Sequence, residues 1–174
     1  MWVKILLFFC FSASFFAHDH FTIDEFLALH PGEKTKMERF NKLVQKAPEP
    51  LNQEQKQPVK ITIIYPSGQI SDYWRRNKIA FEKRLNLLDI DYVLQSHFVE
   101  LSNVQEQGQK TKEAFKAKTD YLIFTLNLDS HRKIISQVLS REKPKVIMQN
   151  ITTPLKAWEG SQPFLYVGFD HIKG

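Results

Sequence analysis

Cysteine is almost absent from this sequence, since Cys10 is the only one among its 174 residues. One thiol cannot form a disulfide within the chain, so an apolar core has to stabilise the fold. The length is sufficient for one compact domain with such a core. Hydrophobic residues make up 43% of the chain and charged residues 25%, a balance typical of globular proteins.

Glycine is also scarce, and none of the six glycines belongs to a GxGxxG or GxxxxGKS/T loop. The sequence therefore lacks the usual phosphate-binding loops of nucleotide-binding proteins. It has no serine in a GxSxG turn and no group of histidine, cysteine or acidic residues at zinc-ligand spacing. We accordingly predict that the protein is not an enzyme and carries no metal and no cofactor.

Long blocks of one charge are missing as well. The formal net charge is +5, from 24 basic and 19 acidic residues, but the basic residues are scattered through helix-like segments such as RRNKIAFEKR. Such scattering is typical of solvated helix faces. We therefore expect no nucleic-acid partner.

The first 17 residues, MWVKILLFFCFSASFFA, show the order of features found in a secretory signal peptide. Lys4 precedes an apolar run from Ile5 to Phe11, and small residues follow. The apolar run is too short to span a bilayer comfortably. Cleavage after Ser14 and cleavage after Ala17 both remain open. Either would also remove Cys10, and a cysteine-free exported protein suits a bacterial periplasm.

Residues 18–47 are predicted to form a helical extension ahead of the main domain. Ile23, Phe26 and Leu27 keep helical spacing, and Pro31–Gly32 is predicted to stop that helix. A second helix is predicted from a further apolar stripe at Met37, Phe40, Leu43 and Val44.

A linker rich in proline and glutamine, PEPLNQEQKQP at 48–58, separates this extension from the main lobe at 59–174. In the main lobe strands and helices alternate about every 30 residues, which predicts an α/β fold. We expect a three-layer, Rossmann-like parallel sheet with helices on both faces. Strands are predicted at 59–65, 90–98, 120–126, 145–149 and 164–169, and helices at 73–88, at 101–118 and from Ser130.

In sheets of this kind ligands bind beyond the carboxyl ends of the strands. Gln69, Ser71 and Trp74 follow the first strand, and Asn150 follows the fourth. The indole of Trp74 offers an apolar face and one N–H donor, which suits a sugar-like ring. The amide of Asn150 both donates and accepts, so it can bind hydroxyl groups in either sense.

Purely structural roles remain open for these residues. Ser71 or Asp72 could cap the following helix, Trp74 could belong to the core, and Asn150 could form a local turn. His131 and Arg132 could reach the cleft, but a solvated helix start is the favoured prediction for both. Trp158 could line the cleft, and closing a loop is the favoured prediction for it.

Four stretches carry a resemblance to a known family: YPSGQISDYWRRN, DYLIFTLN, QNITTP and QPFLYVGFDH. In this order and spacing they resemble the autoinducer-2-binding periplasmic proteins of quorum sensing (LuxP type). That group belongs to the type I periplasmic binding proteins, which close two Rossmann-like lobes around a ligand. The resemblance extends over nearly all of the predicted exported chain.

The resemblance implies a first lobe with the flavodoxin-like strand order 2-1-3-4-5. It also implies that the ligand is autoinducer-2, bound as a furanosyl borate diester without chemical change. No cofactor is implied, although the ligand itself contains boron. The implied ligand-binding residues are Gln69, Ser71, Trp74 and Asn150. The implied partner is the periplasmic domain of a membrane hybrid sensor histidine kinase, which receives the signal for transduction.

Family members carry their borate-pairing arginines in a second lobe, and this sequence has no counterpart of that lobe. We therefore expect a truncated first half, a fragment that binds autoinducer-2 weakly or not at all by itself. An alternative within the same fold is a sugar-binding protein of a transport system.

Overall fold

The computed structural model describes residues 19–68, 72–125, 129–151 and 154–168. The predicted signal segment at 1–17 lies outside these ranges, and so do Gln69 and Ser71. No helix among the described residues is both long enough and apolar enough to cross a membrane.

The centre of the protein is a five-stranded, all-parallel sheet in the order β2-β1-β3-β4-β5. This confirms both the predicted α/β class and the flavodoxin-like strand order. That the sheet is a lobe of a binding protein stays a prediction. The strands are β1 (Val59–Ser67), β2 (Tyr92–Glu100), β3 (Tyr121–Thr125), β4 (Lys145–Gln149) and β5 (Leu165–Val167).

Helices cover both faces of the sheet, as the alternating pattern predicts. They are α3 (Tyr73–Leu87) on one face and α4 (Val104–Lys116) and α5 (Asp129–Leu139) on the other. The extension contains α1 (Ile23–Leu29) and α2 (Pro31–Gln45), and a short 3-10 helix lies at Lys156–Trp158.

Two predicted boundaries move because of local hydrogen bonds. α4 was expected from residue 101 but begins at Val104, because the side chain of Asn103 accepts a hydrogen bond from the Glu106 amide at 3.1 Å and caps the helix. β2 was expected from residue 90, yet the Ile90 amide still donates to the Leu85 carbonyl of the preceding helix at 3.1 Å. Asp89 has a φ of 54°, so the chain turns there before β2 begins.

The apolar core has one layer on each side of the sheet. On one side α3 packs over Ile61, Ile63, Tyr65 and Ile123 through Trp74 and Leu85. On the other side α4 and α5 pack over the sheet, through Ala114, Ile135 and Val138 against Ile64, Leu122, Phe124, Val146 and Met148. Full burial of each large apolar side chain stabilises the fold by about 1.5–3 kcal/mol.

The helical extension is attached to the sheet domain through its first residues. His20 forms an antiparallel bridge with Leu155, and the Phe21 amide donates to the Pro154 carbonyl at 2.8 Å. The side chain of Arg132 donates to Asp19 at 3.0 Å. These contacts tie the start of the extension to the segment between β4 and β5.

Pro31 lies two residues beyond the end of α1, as the predicted stop requires, and it also starts the next helix. α1 ends at Leu29, and Pro31 is then the first residue of α2. Proline is favoured at that position because the first amide of a helix has no partner within the helix. α2 buries none of its residues, and its predicted apolar stripe faces outward, with Leu43 60% exposed and Val44 51% exposed.

The linker at 48–58 has no helix or strand but contacts the lobe at defined points. The Gln55 side chain donates to the Asp91 carbonyl at 3.2 Å and accepts from the Asp91 amide at 2.7 Å. The Leu51 amide donates to the Leu88 carbonyl at 2.8 Å.

Candidate functional site

The candidate site lies at the carboxyl edge of the sheet, where β1 and β4 end. Gly68 follows β1 with a φ of 75°. This left-handed conformation favours glycine, because a side chain would crowd the backbone there. The glycine therefore lets the chain leave β1 sharply, towards residues 69–71 and the start of α3.

A chain of side-chain hydrogen bonds crosses this edge. The Tyr65 hydroxyl, near the end of β1, donates to Oε1 of Gln149 at 2.5 Å. Nε2 of Gln149, the last residue of β4, donates to Oδ1 of Asn77 on α3 at 2.9 Å. Nδ2 of Asn77 donates to the Tyr73 carbonyl at 2.9 Å. The chain joins two strands that are not neighbours, since β3 lies between them.

Trp74 lies in the first turn of α3, one residue after Tyr73, whose carbonyl is the last acceptor of the hydrogen-bond chain. Its ring centroid is 4.8 Å from that of Tyr65 and 4.8 Å from that of Tyr73. Only 4% of the residue is exposed, so the ring belongs to the core and most of its face is covered. Among the described residues, however, its Nε1–H has no hydrogen-bond partner. Leaving such a donor unpaired costs about 1–3 kcal/mol.

Asn150 lies one residue beyond β4, beside Gln149. Its φ is 65°, a left-handed conformation that asparagine tolerates better than most residues. Its backbone amide donates to the Val167 carbonyl at 2.7 Å, which continues the contact between β4 and β5. The residue is exposed at the carboxyl edge. Asn150 can therefore form the local turn and still present its side-chain amide at the surface.

Two of the four predicted site residues, Trp74 and Asn150, thus lie at one edge of the sheet. Gln149 connects them, because it precedes Asn150 and bonds the tyrosine on which Trp74 packs. Gln69 and Ser71 cannot be placed, since they lie outside the described residues. Asp72 is the residue before α3, but its side chain makes no capping bond and pairs instead with Arg75 at 2.7 Å.

Sequence reasoning missed Tyr65, Asn77 and Gln149, although all three stand in the quoted motifs. Tyr65 and Gln149 could have been found from the alignment of β1, β3 and β4 in the sheet. Ile64 aligns with Phe124 on β3, and Phe124 aligns with Met148 on β4. Tyr65 and Gln149 each come one residue later, so both side chains point to the same face.

The prediction of a solvated environment for His131 is wrong. Only 1% of His131 is exposed, and its Nε2 lies 3.4 Å from the Leu101 carbonyl oxygen. Its ring meets Phe124 edge-on at 5.7 Å. Burial lowers the pKa of His131, so the neutral imidazole is favoured at neutral pH.

Trp158, predicted to close a loop, also belongs to the core. It ends the 3-10 helix and is 5% exposed. In contrast to Trp74, its Nε1–H has a partner, because it donates to the Ser136 hydroxyl at 2.9 Å.

Two depressions lie away from this edge, at the opposite end of the sheet. The larger one, of about 280 Å³, is lined by residues that include Val59, Asp120 and Lys143. Asp120 and Lys143 already pair with each other at 2.8 Å, so their charges are satisfied. We give more weight to the carboxyl edge, where a buried donor has no partner among the residues that the structure describes and where loops of parallel sheets bind ligands.

The groups that the structure describes at the carboxyl edge are able to bind a polar ligand. In the described ranges no three histidine, cysteine or acidic residues are placed to hold a metal ion. The groups that converge here are neutral amides, aromatic rings and one indole N–H. No protein-family model matches this sequence.

Proposed function

We propose that this chain forms the first lobe of a periplasmic receptor for autoinducer-2. In this proposal the receptor binds the signal as a furanosyl borate diester, without a cofactor and without chemical change. It relays occupancy to the periplasmic domain of a membrane hybrid sensor histidine kinase. The observation that carries the proposal is the buried Nε1–H of Trp74 at the carboxyl edge of the sheet, which has no hydrogen-bond partner in the described part of the chain.

A hydroxylated ring would complement this edge. One ligand oxygen accepts from Trp74 Nε1, and the exposed amide of Asn150 donates to or accepts from a hydroxyl group. Gln69 and Ser71, in the segment between β1 and α3, supply further polar groups in this proposal. Neutral donors and acceptors of this kind hold a polar ligand without activating it.

The affinity of this lobe alone is expected to be low. Each neutral hydrogen bond contributes about 0.5–1.5 kcal/mol, whereas association costs several kcal/mol of lost freedom. We therefore expect a dissociation constant in roughly the millimolar range. The assay must accordingly detect weak binding at single groups.

Nuclear magnetic resonance of the purified chain, with 15N-labelled tryptophan, detects weak binding at each indole N–H. The signal of Trp74 is assigned from its loss in Trp74→Phe. Autoinducer-2 is then added up to about 10 mM, with and without borate. We expect the Nε1–H signal of Trp74 to shift progressively, because a ligand oxygen becomes its acceptor. Asn150→Ala should weaken this response.

The chain contains its own control, because Trp158 Nε1 already donates to Ser136. Its signal should stay unchanged during the same titration. A Trp74 signal that does not respond to autoinducer-2 at about 10 mM would contradict the proposal. A response to ribose that exceeds the response to autoinducer-2 would instead favour a sugar-binding protein of a transport system.

A further inference from the structure

We infer that the hydrogen-bond chain Tyr65–Gln149–Asn77 is the positioning device of the candidate site, holding the Trp74 indole in place at the carboxyl edge. None of its three residues is among the predicted ligand contacts. The inference deepens the proposed function and rests on it for the ligand, but its structural part can be measured without any ligand.

The hydrogen-bond chain is suited to holding the indole because the side-chain amide of Gln149 connects three elements. Gln149 lies on β4, accepts from Tyr65 on β1 and donates to Asn77 on α3. Both polar ends of its side chain are therefore occupied. A side chain held at both ends keeps one rotamer, and the elements it joins keep their relative positions.

The direction of every bond in the chain follows from its last acceptor. The Tyr73 carbonyl can only accept, so Asn77 must present Nδ2 to it. Oδ1 of Asn77 then faces Gln149, which must present Nε2. Oε1 of Gln149 is left for Tyr65, so the tyrosine hydroxyl must donate. Reversing any member would set two acceptors against each other.

Tyr65 connects this ordered series of hydrogen bonds to the indole of Trp74. Its hydroxyl is committed as the donor, while its ring packs 4.8 Å from the ring of Trp74. Burial, and to a lesser degree the nearby Tyr73, raise the pKa of Tyr65 above its ordinary value, so the hydroxyl keeps its proton.

Asn77 links the same chain to the helix turn that carries Trp74. Its side chain bonds the carbonyl of Tyr73, the residue immediately before Trp74. Asp72 makes no side-chain capping bond at this helix start. The hydrogen-bond chain therefore fixes a turn that lacks the usual cap.

The test uses the same 15N-tryptophan spectra on ligand-free protein. Tyr65→Phe removes the donor at one end and keeps the ring. Asn77→Ala removes the contact to the Tyr73 carbonyl at the other end and tolerates folding, because Asn77 lies near the surface of α3. We expect both variants to shift or broaden the Trp74 signal while the Trp158 signal stays in place.

Tyr166→Phe is a matched control, because the Tyr166 hydroxyl likewise donates to a glutamine, Gln162. Tyr166 is half-buried, and burial raises its pKa as it does for Tyr65. Its loss removes a bond of the same type at a different place. It should leave the Trp74 signal unchanged. A Trp74 signal that is the same in wild type, Tyr65→Phe and Asn77→Ala would overturn the inference.

Measurements with autoinducer-2 test separately whether the hydrogen-bond chain positions Trp74 and whether that positioning matters for ligand binding. With autoinducer-2, we expect Tyr65→Phe and Asn77→Ala to weaken binding about fivefold to tenfold, the effect of one misplaced hydrogen bond. Unchanged binding, despite a moved Trp74 signal, would overturn the role in ligand recognition. If wild type does not bind at all while the variants still move Trp74, the proposed function fails and the positioning stands.

Discussion

Trp74 and Trp158 are the same residue type, equally buried, in two different bonding situations. Trp158 donates to Ser136, whereas Trp74 has no acceptor among the described residues. Both rings lie in the core, 5% and 4% exposed. They lie in different core clusters but are similarly buried, so the pair allows the effect of the hydrogen bond to be compared.

We predict that Trp158→Phe costs more stability than Trp74→Phe, by about 1 kcal/mol. The first substitution breaks a formed bond and leaves the Ser136 hydroxyl without its donor, while the second removes a donor that is already unpaired. Both lose the same ring volume, so the cavity effects partly cancel. Urea denaturation at neutral pH measures the difference. Equal losses would show that Trp74 Nε1 has an acceptor in the folded protein.

At the residue scale, the sequence supports the candidate positions but not their arrangement. The order of residue types after β1 and β4 identifies Trp74 and Asn150 as candidates. The bond from Tyr65 to Gln149 depends on alignment across β3, which local patterns do not contain. The burial of His131 depends on the Leu101 carbonyl, which lies 30 residues earlier in the chain.

At the scale of elements, two glycines illustrate opposite uses of the same residue. Gly108 lies inside α4, and a Cβ added there would meet nothing within 4 Å. A Cβ on Gly68 would also meet nothing within 4 Å, but its φ of 75° disfavours any side chain.

Gly108→Ala is therefore predicted to stabilise the protein by about 1 kcal/mol, because alanine favours helix and restricts the unfolded chain. Gly68→Ala should destabilise it by about 1–2 kcal/mol, since the left-handed backbone is strained for alanine. Thermal melting monitored by circular dichroism compares the two. Effects of the same sign would contradict this account of the two backbone conformations.

The elements of the sheet domain were predictable because their apolar spacing follows burial, whereas the apolar stripe of α2 is exposed. β4 was predicted at 145–149 and is found there. α4 was less predictable, since its start depends on the capping bond from Asn103. Periodicity alone does not reveal where a side chain replaces a backbone partner.

At the scale of the whole molecule, Asp120 joins three strands at the amino edge of the sheet. Its carboxylate accepts from the Lys60 amide at 3.1 Å and from the Lys143 side chain at 2.8 Å. Its backbone carbonyl accepts from the Lys145 amide at 2.8 Å. The hydrogen bond from Lys143, followed by that from Lys60, lowers the pKa of Asp120.

Because the folded pKa lies below the unfolded value, this carboxylate stabilises the protein above about pH 4. The contribution is lost as the pH falls from there through the folded pKa. Asp120→Asn should therefore lower stability at pH 7 and flatten the decline between about pH 4 and pH 2. Chemical denaturation across this range measures both effects. Asp89→Asn, at an exposed turn, is the control, and an Asp120→Asn curve parallel to wild type would refute the role.

The attachment of the extension also determines the order in which the molecule can assemble. His20 and Phe21 meet Leu155 and Pro154, more than 130 positions later in the chain. A contact between such distant positions closes a very long loop, so it forms after the local units on the way. A chain that emerges from its amino end must therefore carry α1 undocked until almost all of the sheet has appeared. The extension is therefore among the last segments to dock on the domain.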